Sequence, residues 1–164
     1  MAAAAVLTWV DKGDDVLLDG ALYPGAAEAG EWYRFLTAIF LHANVAHLAL
    51  NGMSLWLFGG VAERMFGAWR YFVLFFVAGL AGNALFVALS PPQVAAVGAS
   101  GAVFGVMGAL AVTLRDERRN SVYLLLAANV VLQFVIPDVA WEAHMGGLAA
   151  GVVLGLLYRG RARR

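Results

Sequence analysis

Ser100 and His144 are the residues of this chain whose types are best suited to chemistry. Ser100 lies in the tetrapeptide Gly98-Ala99-Ser100-Gly101, and His144, like the other two histidines, falls in an apolar helix-like stretch. Ionisable side chains are costly at membrane depth and usually serve a function there. A serine hydroxyl becomes a nucleophile when an adjacent neutral imidazole takes its proton. The pair therefore predicts acyl transfer by a Ser-His dyad, with no carboxylate as a third member to orient the histidine.

His47 and Asn51 are candidates for stabilising the oxyanion of such a reaction. They lie four residues apart and so share one face of a helix. Side-chain amides and imidazoles can donate to a developing oxyanion as backbone N–H groups do. The N–H of Ser100, at the positive end of its helix, could add a further donor.

The composition places these residues in a membrane protein. Of the 164 residues, 62% are apolar and 13% are charged, and the mean hydropathy is +0.77. A water-soluble domain of this size could not cover so much apolar surface. The chain has no cysteine, which excludes disulfides and thiolate metal sites. No cofactor is predicted, since serine acyl transfer needs neither metal nor nucleotide.

Apolar blocks predict an all-α, polytopic membrane helix bundle. A span needs about 20 residues, and five blocks approach that length: 45–62, 69–89, 100–114, 121–136 and 143–158. The third block is short, so its start, which carries Ser100, is expected below the membrane surface. Residues 1–10 predict a first helix that is short or truncated. The predicted domains are residues 1–34 (partial first helix and outer loop), 35–158 (membrane domain) and 159–164 (basic cytoplasmic tail).

Charge segregation orients the predicted bundle. The loops after the first and third blocks, together with the tail, hold nine basic and three acidic residues, whereas the other side holds two basic and eight acidic residues. By the positive-inside rule the arginine-rich side and the C-terminus are cytoplasmic. The sequence thus predicts a multi-pass protein of the plasma (inner) membrane whose site opens to the outer face.

This orientation places the polar residues at a similar depth in the outer half of the membrane. The first, third and fifth blocks run inward from the outer face, and near their starts lie His42, His47 and Asn51, then Ser100, then His144. Glycines also allow close approach of the third and fifth blocks. They are Gly101, Gly105 and Gly108 on the third block and Gly147, Gly151 and Gly155 on the fifth.

An ordered set of motifs resembles those of the rhomboid intramembrane serine proteases. The motifs are Glu31-Trp32-Tyr33-Arg34, His42-x4-His47-x3-Asn51, Gly60-x2-Glu63-x3-Gly67, Gly98-Ala99-Ser100-Gly101 and Ala143-His144-x2-Gly147-x3-Gly151. The resemblance covers about residues 30–155. It implies a six-helix bundle with Ser100 as nucleophile and His144 as general base.

The resemblance also implies roles for the surrounding residues. His47 and Asn51 would help form the oxyanion hole, and His42 and the loop of residues 31–34 would support the site. Phe104 stands where some members have tyrosine, so it could pack on the His144 ring without offering a hydroxyl. The remaining supporting residues are Gly98, Gly101 and Gly147. The implied partners are the lipid bilayer and transmembrane protein substrates, with no nucleic acid; the sequence identifies neither the substrate nor the oligomeric state.

Two other classes of function remain open. One is a non-catalytic rhomboid-like protein that binds transmembrane helices, although such relatives usually lack the serine or the histidine. The other is a metal or proton transporter that uses His42, His47 and His144. It ranks below the first two because the five blocks contain no carboxylate. In addition, His42 and His47 are five residues apart. On an ideal helix this spacing separates their side chains by roughly 140°, which is a poor geometry for binding one metal ion.

Overall fold

The computed structural model describes residues 13–115, 117–133, 135 and 139–160. Within these ranges the chain is helical and forms no strand, and its one β-bridge joins Leu22 to Ala96. The predicted all-α class is therefore confirmed. The predicted first helix at residues 1–10 and most of the basic tail lie outside the described residues.

In the part of the chain that the structure describes, three short helices precede five longer ones. In chain order the helices are α1 (Gly13–Gly20), α2 (Pro24–Glu28), α3 (Arg34–Thr37), α4 (Val45–Phe66), α5 (Ala68–Leu89), α6 (Ser100–Thr113), α7 (Arg118–Leu132) and α8 (Trp141–Tyr158). The five longer helices lie within a few residues of the five apolar blocks.

Helix α4 begins where the block 45–62 begins but ends four residues beyond it, at Phe66. Asn44 caps its start, because the Asn44 side-chain oxygen accepts from the His47 N–H at 2.8 Å. His42 therefore lies before the helix, and the prediction that all three histidines are helical is wrong for His42. At the other end α4 continues to Phe66 and stops at Gly67, whose φ of 85° favours glycine. A π-helical turn, Leu55–Gly59, interrupts α4 and places Gly59 against the Tyr71 hydroxyl.

The helix surfaces suit a lipid environment. Helices α4 and α5 each have 22 residues and are long and apolar enough to cross a bilayer, whereas α6 is apolar but shorter. Large apolar side chains are exposed around the bundle, including Leu50, Trp56, Trp69, Leu124 and Leu157. Exposed apolar surface on this scale is rare on water-soluble monomers. It therefore agrees with the membrane class that the composition predicts.

Helix α6 occupies the centre of the bundle. It packs mainly against α5 and α8, which also pack against each other. Every residue of α6 from Gly101 to Ala111 is buried. A helix that is apolar on all faces has no solvent-facing side and is stable where other helices surround it. Ser100, the first residue of this central helix, is thus held by the core of the protein.

Glycines bring the backbones of α6 and α8 into contact. A Cβ atom on Gly147 would overlap the Gly101 carbonyl oxygen, and one on Gly151 would overlap the Gly105 carbonyl oxygen. One turn further along, a Cβ atom on Gly155 would lie 2.7 Å from the Ala109 Cα. The predicted close approach is therefore repeated every four residues along both helices. This spacing sets the distance between the two helix starts that carry Ser100 and His144.

Buried Arg34 organises the chain before α4. Its guanidinium donates to the carbonyl oxygens of Leu18 at 2.6 Å and Ala21 at 2.9 Å, and it pairs with Glu31. Next to this cluster, Leu22 exchanges two backbone hydrogen bonds with Ala96 at 3.0 and 2.8 Å. Because residue 96 belongs to the loop that leads into α6, the N-terminal helices are tied to the backbone just before Ser100.

Asn83 of α5 is hydrogen-bonded to this N-terminal region. Replacing Asn83 gives the first testable prediction. The buried Asn83 amide donates to the Phe35 carbonyl oxygen at 2.7 Å. Asn83→Leu should lower the free energy of unfolding by about 1–3 kcal/mol, because it leaves that carbonyl without its partner. Thermal unfolding in detergent measures the effect. Asn129→Leu, at an exposed position of α7, is the matched control; equal stability of both variants would contradict the prediction.

Candidate active site

Ser100 and His144 meet where α6 and α8 begin. Gly98 precedes α6 with a φ of 121°, a conformation that favours glycine, and donates its N–H to the Ala38 carbonyl at 2.8 Å. This turn places Ser100 as the first residue of α6. His144 is the fourth residue of α8, and the contact between Gly101 and Gly147 holds the two helix starts together.

The serine and the histidine are hydrogen-bonded. Ser100 Oγ lies 2.8 Å from His144 Nε2. The Phe104 ring stacks on the imidazole with 4.3 Å between ring centroids and 9° between ring planes. The His144 side chain is buried, at 8% exposure. The contacts leave the ring little freedom to turn, and an imidazole at this distance is placed to take the proton of the hydroxyl.

Gln133 is a site residue that was not predicted from the sequence. Its Oε1 lies 2.9 Å from His144 Nδ1, and both side chains are buried. The residue caps the C-terminal end of α7. A signal was present in the sequence, since Gln133 is the one glutamine in the apolar block 121–136. The pairing itself depends on how α7 packs beside α8, which a local pattern does not reveal.

His47 and Asn51 lie beside the turn at Gly98. A Cβ atom on Gly98 would be 2.8 Å from His47 Nε2 and 3.8 Å from Asn51 Nδ2. Asn51 is buried and donates from Nδ2 to the His47 carbonyl oxygen at 2.9 Å. The structure thus brings both side chains next to a residue two positions from Ser100. It also explains why Gly98 has no side chain, because any Cβ atom would collide with the His47 ring.

His42 lies behind His47. Its Nδ1 donates to the Phe40 carbonyl oxygen at 3.2 Å, and its ring meets the His47 ring edge to face with 5.2 Å between centroids. Burial, with a smaller contribution from the neighbouring His47, lowers the pKa of His42 to about 4. His42 is therefore neutral at physiological pH and supports His47 by packing.

The three histidines do not point at one common position. His42 and His47 contact each other, whereas each ring nitrogen of His144 already has a partner, Ser100 on one side and Gln133 on the other. A shared metal or proton site of the kind that a transporter would need is not what this arrangement builds among the described residues.

Comparison with known sequences agrees with this geometry. The Rhomboid domain family matches residues 29–161 of the chain. The rhomboid protease GluP of Bacillus subtilis (strain 168) is 36% identical over 129 residues, which cover 74% of this chain and 25% of GluP. RHOMBOID-like protein 5 of Arabidopsis thaliana is 34% identical over 147 residues (84% of this chain, 48% of the relative). Rhomboid-like protease 1 of Toxoplasma gondii is 31% identical over 150 residues (85% and 51%).

The matches share one family. This chain spans about a quarter of GluP and about half of the other two relatives. The matched region, 29–161, contains the turn at Gly98 and helices α4 to α8, and so all of the residues assembled around Ser100. The chain therefore belongs to the rhomboid family, an integral membrane family.

Proposed function

We propose that this chain is an intramembrane serine endopeptidase that cleaves transmembrane segments of other membrane proteins. The observation that carries the proposal is the 2.8 Å separation between Ser100 Oγ and His144 Nε2. The protease names of the relatives GluP and Rhomboid-like protease 1 support the same reaction. A non-catalytic, helix-binding role would not require the hydroxyl and the imidazole to be in contact.

The proposed mechanism uses the two residues in both halves of the reaction. His144 Nε2 takes the hydroxyl proton while Ser100 Oγ attacks the scissile carbonyl, and the imidazolium then protonates the leaving amine. Water next attacks the acyl group on Ser100 while His144 accepts its proton, and the imidazolium then returns that proton to Ser100 Oγ as the acyl–oxygen bond breaks. Phe104 and the buried surroundings of the imidazole keep it oriented between these steps.

His47, Asn51 and the start of α6 are proposed to stabilise the oxyanion. The first N–H groups of a helix lack intrahelical acceptors and carry partial positive charge, and Ser100 begins α6. Asn51 and His47 lie against the adjacent Gly98. For the Asn51 amide to reach the oxyanion, its bond to the His47 carbonyl must be exchanged for one to the substrate.

Loss of the Asn51 amide is the second testable prediction. Asn51→Ala should lower kcat by about 10²-fold with little change in KM, because the donor acts on charge that develops in the transition state. Asn129→Ala is a matched control, since Asn129 makes the same local bond, to the Leu125 carbonyl at 2.8 Å, on an exposed face. Steady-state cleavage kinetics distinguish the two variants. A similar kcat for both would remove Asn51 from the proposed oxyanion hole.

The proposed topology follows from the charges. We place the arginine-rich end of the bundle and the C-terminus in the cytoplasm, and the Ser100 end near the outer face of the inner membrane. Water needed for deacylation would then enter from the outer face. The loop between α5 and α6 also lies at this end of the bundle, and its residues 91–95 are exposed.

The test combines a model transmembrane substrate with a fluorophosphonate probe on detergent-purified protein. The parent should cleave the substrate and be labelled, whereas Ser100→Ala should do neither. Ser121→Ala, at an exposed position of α7, should behave like the parent. A well-folded parent that neither reacts nor cleaves would favour the non-catalytic, helix-binding role instead.

A further inference from the structure

We propose that Gln133 is a positioning residue for this reaction, because its side-chain oxygen holds His144 in the tautomer that can accept the Ser100 proton. The inference rests on the proposed function of Ser100 and His144. It adds a third member to the predicted Ser-His dyad. Gln133 contacts neither the serine nor the substrate carbonyl in the proposed mechanism, so its effect passes through the imidazole.

The hydrogen-bond chain fixes the position of the imidazole proton. A carbonyl oxygen only accepts, so Gln133 Oε1, at 2.9 Å, requires the proton on His144 Nδ1. His144 Nε2 is then unprotonated and accepts from Ser100 Oγ at 2.8 Å. With the amide reversed, its NH₂ group would donate to Nδ1 and the ring proton would move to Nε2. That tautomer could not take the serine proton.

The unpaired amide nitrogen of Gln133 supports a role for this residue in the reaction. Gln133 Nε2 is buried without a hydrogen-bond partner among the described residues. A buried unpaired donor destabilises a protein, and a methionine at this position would avoid that penalty. The oxygen's bond to His144 is the interaction that the amide gains in return. A residue serving only to pack the end of α7 would not need it.

A purely structural role is the alternative that an experiment must separate. Helix α7 contacts mainly α6. Among the described residues of α7, Val122 is buried, and Gln133, which caps the C-terminal end of the helix, is buried as well. Gln133 could therefore serve only to link α7 to α8. A purely structural link would affect thermal stability and substrate affinity, whereas a positioning residue affects the reactivity of Ser100.

Three variants separate these roles. Gln133→Met keeps a side chain of similar length and removes the hydrogen bond, while Gln133→Glu keeps an acceptor opposite Nδ1. Gln93→Met makes the same exchange at an exposed loop position and is the control. Each variant is assayed for kcat, KM, the rate of fluorophosphonate labelling and thermal unfolding. The imidazole tautomer is followed by ¹⁵N NMR of histidine-labelled protein.

We expect Gln133→Met to lower kcat and the labelling rate by about tenfold, the scale of one neutral hydrogen bond. KM should stay within about twofold if only a transition-state interaction is lost. Gln133→Glu should recover most of the lost rate, and Gln93→Met should match the parent. In the spectra, His144 should carry its proton on Nδ1 in the parent and populate both tautomers in Gln133→Met.

Three results would overturn the inference. One is an active parent whose labelling rate and His144 tautomer are unchanged in Gln133→Met. The second is a loss of activity in both Gln133 variants that parallels a loss of thermal stability, as expected if Gln133 has a purely structural role. The third is a folded parent with no labelling and no cleavage; it would overturn the proposed function as well, whereas the first two leave that function intact.

Discussion

Replacing Ser100 or His144 is expected to lower kcat by about 10⁴-fold or more, and replacing both residues is expected to lower it no further. The physical reason is that each residue is effective only through the other. Ser100 without a base keeps its proton, and His144 without the hydroxyl has nothing to activate. The two losses therefore do not add, as two independent contributions would.

Single-turnover cleavage by Ser100→Ala, His144→Ala and the double variant measures this coupling. Because His144→Ala would leave a cavity beneath Phe104, His144→Asn provides a second substitution that fills more of the space. Ser100→Ala and His144→Asn should keep the helical content and the thermal unfolding of the parent, which shows that chemistry rather than folding was lost. A His144 variant that retains more than a tenth of the parent kcat would contradict the proposed role of His144 as the base.

The placement of Ser100 near His144 could be predicted from the sequence because few arrangements satisfy its constraints. The apolar blocks give the order of the helices, and the arginines give their direction. Together these place residues 100 and 144 at the same end of the bundle. The glycines of α6 and α8 then set how near the two helices come, and in the structure they do contact each other backbone to backbone.

Contacts between distant segments were harder to predict. Arg34 was expected in an outer loop that supports the site, and in the structure it is buried and binds the carbonyls of Leu18 and Ala21. Nothing in the local pattern specifies those acceptors, which come from a preceding helix end and its loop. The same holds for Gln133, whose partner His144 is eleven residues away and lies on the next helix. Local periodicity describes which face of a helix is apolar but not which neighbour it meets.

Local backbone chemistry accounts for the remaining differences. The apolar run through His42 suggested helix, but Asn44 is a strong N-cap and begins α4 after that histidine. The π-turn Leu55–Gly59 inserts an extra residue per turn within an unbroken apolar block. Hydropathy is the same for α and π geometry, so such a turn leaves no mark in the pattern.

Gly151→Leu is expected to abolish both the folded bundle and the activity. A Cβ atom at this position would overlap three backbone atoms of Gly105, namely its oxygen, carbonyl carbon and Cα. Backbone atoms in the middle of a buried helix cannot turn aside as a side chain can. Adding a single group to a close-packed core costs about 1–3 kcal/mol, and leucine adds four carbons to a contact with no free space.

The effect should reach Ser100 even where folding survives. Gly151→Ala, the milder change, forces α6 and α8 apart along the same line of glycines that holds Ser100 Oγ at 2.8 Å from His144 Nε2. A displacement of about 1 Å in a catalytic group can cost about 10²-fold in rate. Partial unfolding and slow fluorophosphonate labelling should therefore appear together in Gly151→Ala.

Gly52 provides the matched control for these substitutions. It also lies within a long helix, α4, but it is exposed and a Cβ atom there would meet nothing within 4 Å. Gly52→Leu should fold, because leucine is a better helix former than glycine and its side chain would project from an exposed face. Thermal unfolding and labelling of Gly151→Leu, Gly151→Ala and Gly52→Leu measure these effects. If Gly151→Leu is as stable and as reactive as Gly52→Leu, the close contact between α6 and α8 does not position the serine and the histidine.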